Sequence, residues 1–323
     1  MRSAPVRMVV IIVALVACAY SPEAQPRSTL PDFEAAELWK DPVDLADRDL
    51  YGGPGGAALQ PPSTGGSYQF VAYKVSGTNP GYDVRDQAGR IWSVKLGIEA
   101  QPEVTASRIL WAIGFHQPPT YFVQAFTLTG IDAGAKSNAR FRSEIDQWKA
   151  AGEWSWYDNA FKNTRPFKGL IVAQLVLNNW DLKTSNNRVY DAIDASASPR
   201  HLYIVRDVGA SLGHAKQSAV FKVLGTPGSQ GSKNDVDDFV EQGFIKKVDG
   251  DKVQFDYRGV NQALVDTVTV PDVIWACELL SRIPDTHWQA AFKAGAYVQQ
   301  DADRYIAKIK EKIAQGLALK PSS

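Results

Sequence analysis

Two hydrophobic periodicities occur in this chain in a set order, and that order limits the folds open to it. Between Gln69 and Leu128 the apolar residues fall in short β-branched and aromatic runs. Residues 69–75, 82–86 and 91–96 read as strands, the last two as a hairpin around Gln87-Ala88-Gly89, with a turn over 76–81. Pro102 opens a helix where its missing N–H costs nothing, Glu103 follows in the first turn, and Gly114 ends it. Residues 121–128 read as one more strand. From Ser143 the pattern is mostly helical: a nearly all-apolar helix over 167–177, then helices near 271–282, 286–294 and 300–314. Two short strands, 187–190 and 202–205, interrupt it, and a glycine-serine loop runs from 225 to 233. Strands first and helices after predict an α+β chain with segregated layers. The expected lobes are a β-rich one with one helix over 67–130 and a larger helical one over 131–323.

What precedes residue 67 is of another kind. Arg2 and Arg7 make a positive start, and residues 8–17 are apolar but too short to cross a bilayer as a lone helix. The stretch ends in Leu15-Val16-Ala17-Cys18, which resembles a bacterial lipobox. The resemblance implies that residues 1–18 are a signal peptide and that Cys18 is lipidated, giving the doubled acyl chains that stable anchoring needs. Ordinary cleavage at the small-x-small Ala17-Cys18-Ala19 stays open beside it. The expectation is a membrane-anchored lipoprotein of the bacterial cell envelope, with a secreted or periplasmic soluble protein as the alternative. Residues 19–66 read as a tether and ordered preamble, with a short helix near 33–39 and Gly/Pro-rich loops after it.

Charge and cysteine count exclude some functions. The 35 basic residues balance 35 acidic ones, and removing Arg2 and Arg7 leaves 33 against 35, with no basic stripe. Nucleic acid is therefore not an expected partner. Besides Cys18 only Cys277 remains, in an apolar helical run, where a buried structural thiol is expected; a disulfide framework is excluded by number. The four histidines are scattered and offer no zinc spacing. Nine tryptophans, Trp154 and Trp156 among them, admit sugar stacking, but core and lobe-interface packing is the better reading.

The informative segment is Asn179-Trp180-Asp181-Leu182-Lys183-Thr184-Ser185-Asn186-Asn187, directly after the apolar helix and before a short strand. Asp181, Lys183 two positions on and Asn186 five positions on resemble the catalytic loop of protein kinases; Asn179, two before the Asp, matches the related loop of HipA-like kinases. Val205-Arg206-Asp207-Val208-Gly209 follows a strand and resembles the Asp-Phe-Gly metal-binding motif, with Val208 in place of Phe. Upstream, Val94-Lys95-Leu96 resembles the third-strand lysine pattern, with Glu103 as ion-pair partner for Lys95 and Glu99 as the alternative. Gly77 and Gly81 flank the turn where a phosphate-covering loop belongs. The order of these pieces along the chain, each once, carries the resemblance, which spans about residues 68–215. The chain departs from the protein-kinase pattern at Asn179-Trp180, where those enzymes have His-Arg, at Pro80 within the glycine turn, and in having no Ala-Pro-Glu motif. HipA-like, phosphoinositide-kinase-like and secreted Fam-twenty-like branches fit better.

The resemblance implies a bilobal kinase-like phosphotransferase using ATP or another nucleotide with Mg2+ or Mn2+. Asp181 would serve the acceptor hydroxyl, Lys183 the γ-phosphate and Lys95 the α/β-phosphates, with Asn186 and Asp207 holding the metal. The acceptor, a protein or a small molecule or glycan, is not written in the sequence. A pseudokinase, a nucleotidyl-transferring enzyme of the same fold and a non-catalytic envelope-binding lipoprotein are the alternatives. Lys95, Asp181, Asn186 and Asp207 are expected to meet in one cleft, where loss of Asp207 would relieve a charge repulsion.

Overall fold

A computed structural model of the chain describes residues 35–56, 59–74, 81–215 and 231–320; Cys18 and Gly77 lie outside them. Side-chain alternation builds the first lobe. Strands β1 (Ser67–Tyr73), β2 (Gly81–Arg85), β3 (Ile91–Leu96), β4 (Thr120–Thr129) and β5 (Gly134–Arg142) close into a barrel in the order β1-β2-β3-β5-β4. The closing pair β1–β4 is parallel, with Ser67 opposite Thr127, and the other pairs are antiparallel. Every second residue points inward, so Val84, Trp92, Val94, Val123, Ala139 and Phe141 are buried together. The Phe141 ring lies edge-on to Phe126 at 5.1 Å and 4.9 Å from Tyr68, the offset geometries that aromatic quadrupoles favour.

Helix α1 (Ala100–Ala112) packs against this barrel and is buried along most of its length. It ends at Gly114, whose φ of +98° favours glycine and where a Cβ would collide with the Lys40 carbonyl. The preamble docks there: Trp39 Nε1 donates to the Ile113 carbonyl at 2.7 Å and the Lys40 N–H to that of Gly114 at 3.0 Å.

The second lobe begins with β6 (Trp148–Gly152), which joins β7 (Asn187–Ala192) and β8 (His201–Val205) in a three-stranded sheet of order β6-β7-β8. Helix α2 (Arg165–Val176) is capped by Thr164, whose hydroxyl accepts from the Phe167 N–H at 3.4 Å, with Pro166 tolerated in the first turn. Gly169 leaves room for the Trp275 ring. There follow α3 (Val236–Glu241), the hairpin β9 (Ile245–Asp249) and β10 (Lys252–Phe255), α4 (Gln262–Val265), α5 (Val270–Ser281), α6 (Asp285–Ala294) and α7 (Gln299–Leu317). Trp154 and Trp156 are 3% and 1% exposed and pack with Phe167 and Tyr203, so neither ring is open to stack on a sugar. Cys277 is buried, and burial pushes its thiol up to about 12. No helix among the described residues is long and apolar enough to cross a membrane.

Two sequence expectations need correction. The β-rich lobe extends to Arg142, past the boundary placed at 130, because β5 pairs with both β3 and β4. The lobe expected to be helical from 131 also holds β6, β9 and β10. β6 and β9 are largely exposed, so their hydrogen-bonded ladders leave no apolar alternation to read. Phe141→Ala is expected to lower the unfolding free energy by about 3–5 kcal/mol, read by urea denaturation. A loss under about 1 kcal/mol would contradict a close-packed barrel interior.

Candidate active site

Lys95 closes β3. Trp92 and Val94 point into the barrel, so alternation turns Ser93 and Lys95 to its outer face. The chain then turns at Gly97, φ +101°, and enters α1, which brings Glu99 and Glu103 back over the lysine. Lys95 Nζ lies 2.7 Å from Glu99 Oε2 and 3.3 Å from Glu103 Oε2, so the two candidate partners are partners together. It also lies 2.9 and 2.8 Å from the two oxygens of Asp207. Glu103, 1% exposed, turns its other oxygen to Arg140 Nε at 2.7 Å and Arg142 Nη1 at 3.3 Å. Glu99 in turn pairs with Lys233.

These charges set one another's protonation. Burial works against the charged form of Lys95, but Glu103, Asp207 and Glu99 outweigh it and hold the ammonium above its ordinary value. Burial likewise opposes the Asp207 carboxylate, yet Lys95, by charge and hydrogen bond, and then Arg140 and Arg142 hold it well below the usual carboxylate range. Glu99 is lowered in the same way, against burial, by Lys95 and Lys233. Burial first, then repulsion from Arg140 and Arg206, brings Arg142 down to about 9. The expected relief of charge repulsion on losing Asp207 is thus corrected: its carboxylate lies against a cation.

The second component hangs from the end of α2. Asn178, at φ +54°, turns the chain out of the helix; its Nδ2 donates to the Gly213 carbonyl at 2.7 Å. The buried Lys312 of α7 donates to Asn178 Oδ1 at 2.7 Å and to the Val176 carbonyl at 3.1 Å, satisfying a helix-end acceptor. Asn179 is fully buried; Nδ2 donates to Gln174 Oε1 at 2.8 Å, and Oδ1 accepts the Asp181 N–H at 3.2 Å. Tyr257 closes the loop from the far side, donating to the Asn179 carbonyl at 2.7 Å.

Held this way, Asp181 pairs with Lys183 Nζ at 2.9 Å, while Lys183 itself is half exposed. Asn186 Nδ2 donates to the Asp181 carbonyl at 2.6 Å. The Asn186 carbonyl accepts from the N–H groups of Arg206 and Asp207 at 2.8 and 3.2 Å, which joins the two motifs directly. Gly209 has a reason other than turn flexibility: a Cβ there would stand 2.8 Å from Glu99 Cβ, so the loop after Asp207 could not lie against α1.

Lys95, Asn186 and Asp207 line one cleft of about 280 Å³ between the lobes, with Gly81 at its β2 edge, and Asp181 adjoins it through Asn186. Asp207 keeps 36% of its side chain exposed there, and Asn186 Oδ1 has no hydrogen bond among the described residues. Carboxylate and amide oxygens are hard donors, which fits Mg2+ or Mn2+ and not zinc. Sequence reasoning did not find Arg140, Arg142, Arg188, Arg206 or Lys233. For Arg140 and Arg142 a signal existed in the alternation Asn138-Ala139-Arg140-Phe141-Arg142; the others have no local pattern.

A barrel lobe with one helix, a strand lysine paired to helix carboxylates, and an Asp–Asn loop meeting an Asp-x-Gly turn in the cleft define a bilobal protein-kinase-like fold. Among solved structures, the chain is similar to a Helicobacter pylori proinflammatory kinase, CtkA, at 14% identity and TM-score 0.46, covering 78% of this chain and 96% of that one. It is also similar to the Rio2 kinase–ADP/Mg2+-phosphoaspartate complex from Chaetomium thermophilum, at 13% identity and TM-score 0.30, covering 76% and 72%. With both scores below 0.5, the fold reading stands on the chain's own geometry. No family model and no curated protein matches the sequence.

The depressed carboxyls give a pH dependence with a definite sign. Their ion pairs stabilise the fold above the ordinary values of 3.8 for Asp207 and 4.5 for Glu99, and the contribution is lost as pH falls through the lowered folded values. Calorimetric melting should show a Tm nearly constant over about pH 5–8 and falling below it. Asp207→Asn should lower the Tm at neutral pH and flatten the acid limb. An acid limb identical to wild type would contradict the Lys95–Asp207 pair.

Proposed function

We propose that this chain is a divalent-metal-dependent phosphotransferase. The observation that carries the reading is the meeting of Lys95, Asp207, Asn186 and Asp181, drawn from three separate stretches of sequence, at the mouth of one interlobe cleft. Asp207 and Asn186 would hold the cation. A cation bound there supplies neutralisation for the charge on a transferring phosphoryl group. Lys95 is oriented by Glu99 and Glu103 toward donor phosphates. Asp181, with its backbone pinned by Asn179 and Asn186, orients the acceptor hydroxyl and takes its proton, while Lys183 reaches the phosphoryl group.

The roles separate experimentally. Asp207→Ala is expected to abolish magnesium-dependent binding of a non-hydrolysable nucleotide, while Asp181→Ala should bind it as wild type does and lose transfer by about 10²–10⁴-fold. Calorimetry and a labelled-phosphate transfer assay with envelope extract read the two effects. Equal affinity in wild type and Asp207→Ala would contradict the assignment.

We further propose that the enzyme works in the bacterial envelope, anchored through acylated Cys18, on a protein, glycan or small-molecule acceptor. The Leu15-Val16-Ala17-Cys18 run supports this. Cys18→Ser should release the protein from the membrane fraction or block its processing. Unchanged fractionation with an unmodified mature N-terminus would leave ordinary secretion.

A further inference from the structure

Among the described residues the cleft is lined for charge and not for a flat apolar ring. Among the described residues its lining holds six cations, Lys74, Lys95, Arg140, Arg142, Arg188 and Arg206, against the carboxylates of Glu144, Glu153 and Asp207. Val94 is the one apolar residue with a side chain in that lining, and at 1% exposure its side chain belongs to the barrel core. Small-molecule sites that hold a ring normally present hydrophobic or aromatic faces to it. None is offered here by the described lining.

The cations are not equally committed. Arg140 and Arg142 are tied to Glu103, and Lys95 is shared among three carboxylates. The Arg206 guanidinium has no hydrogen bond or ion pair among the described residues, although its backbone is clamped between Asn186 and Arg142. Arg188 and Lys74 are held by partly exposed carboxylates, Glu153 at 2.8 Å and Asp83 at 2.6 Å. Pairs of that kind are worth little and exchange readily for a stronger anion. Guanidinium forks match phosphate oxygens in pairs, which makes Arg188 and Arg206 suited to successive phosphates.

We infer that this cleft recognises its donor through a phosphoanhydride chain and not through a base, so that inorganic polyphosphate serves as the phosphoryl donor. The inference rests on the phosphotransferase reading. In the step it describes, the acceptor hydroxyl oxygen attacks the terminal phosphorus of tripolyphosphate and the anhydride P–O bond breaks. Pyrophosphate leaves with the bonding electrons. The hydroxyl proton passes to Asp181 and on to the pyrophosphate, so no oxidant or reductant is required.

The test is calorimetric titration of the full chain in detergent, with magnesium, using tripolyphosphate, ATP and adenosine. The expected result is a Kd for tripolyphosphate within about threefold of that for ATP, with no binding of adenosine. Arg206→Gln should weaken both anions by about tenfold, and Arg188→Gln, measured beside it, guards against misfolding of either variant. ATP binding with tripolyphosphate at least about 100-fold weaker would overturn the inference and leave the phosphotransferase reading standing. Unchanged tripolyphosphate affinity in both folded variants would also overturn the inference. Failure of both anions to bind would overturn the two together.

Discussion

One ammonium group, Lys95 Nζ, touches Glu99, Glu103 and Asp207 at once, and so ties the barrel lobe to the loop after β8. The lysine comes from the barrel, the two glutamates from the start of α1, and the aspartate from the loop after β8. A buried charge without a partner is costly, and removing one member of such a cluster leaves its neighbours uncompensated. Glu103 illustrates the point: fully buried, it carries Lys95 on one oxygen and Arg140 and Arg142 on the other. The arginines therefore belong to the same unit as the lysine. They keep α1 registered on β5 whether or not a ligand draws Lys95 away.

A second polar network does for the loop between α2 and β7 what the first does for the interlobe contact. Asn179 and Asn186 bond to groups within a few residues, Asn178 reaches across to the Gly213 carbonyl, and Lys312 and Tyr257 join the same loop from α7 and from beyond β10. Burial pushes the Lys312 ammonium well below its ordinary value. A loop between a helix and a strand would otherwise leave its carbonyls and amides unpaired in the interior, at about 1–3 kcal/mol each. The two networks meet at the Asn186 carbonyl, which receives the N–H groups of Arg206 and Asp207. The Asp181–Asn186 loop and the Asp207 turn are thus placed against each other through one carbonyl. Arg140 and Arg142 of β5 and Arg188 of β7 supply half of the cations that line the cleft among the described residues.

Much of the chain was legible locally. The strands β1 to β4, helix α1 with Pro102 and Gly114, the apolar α2 and the three C-terminal helices all carry patterns contained within each element. β5 was missed although Ala139 and Phe141 alternate with Arg140 and Arg142, because its first half is exposed and polar. β6 and β9 are exposed along nearly their whole length, so their pairing leaves no trace in hydrophobicity. The choice between Glu99 and Glu103 could not be made from spacing, since a turn at Gly97 followed by a helix brings both within reach of one lysine.

By itself, then, the sequence determined the chemical inventory and its order: a strand lysine, a helix glutamate, an Asp-x-Lys-x-x-Asn loop and an Asp-x-Gly turn, each in a local context its own periodicity defines. Only the tertiary structure decided how those groups are charged and what surrounds them. Arg140, Arg142 and Lys233 join the site from positions outside the motifs, because electrostatic neighbourhood depends on distance in space. Coulombic coupling between buried groups falls with separation and with solvent exposure. Neither quantity exists until β3, β5, α1 and the loop after β8 have closed on one another.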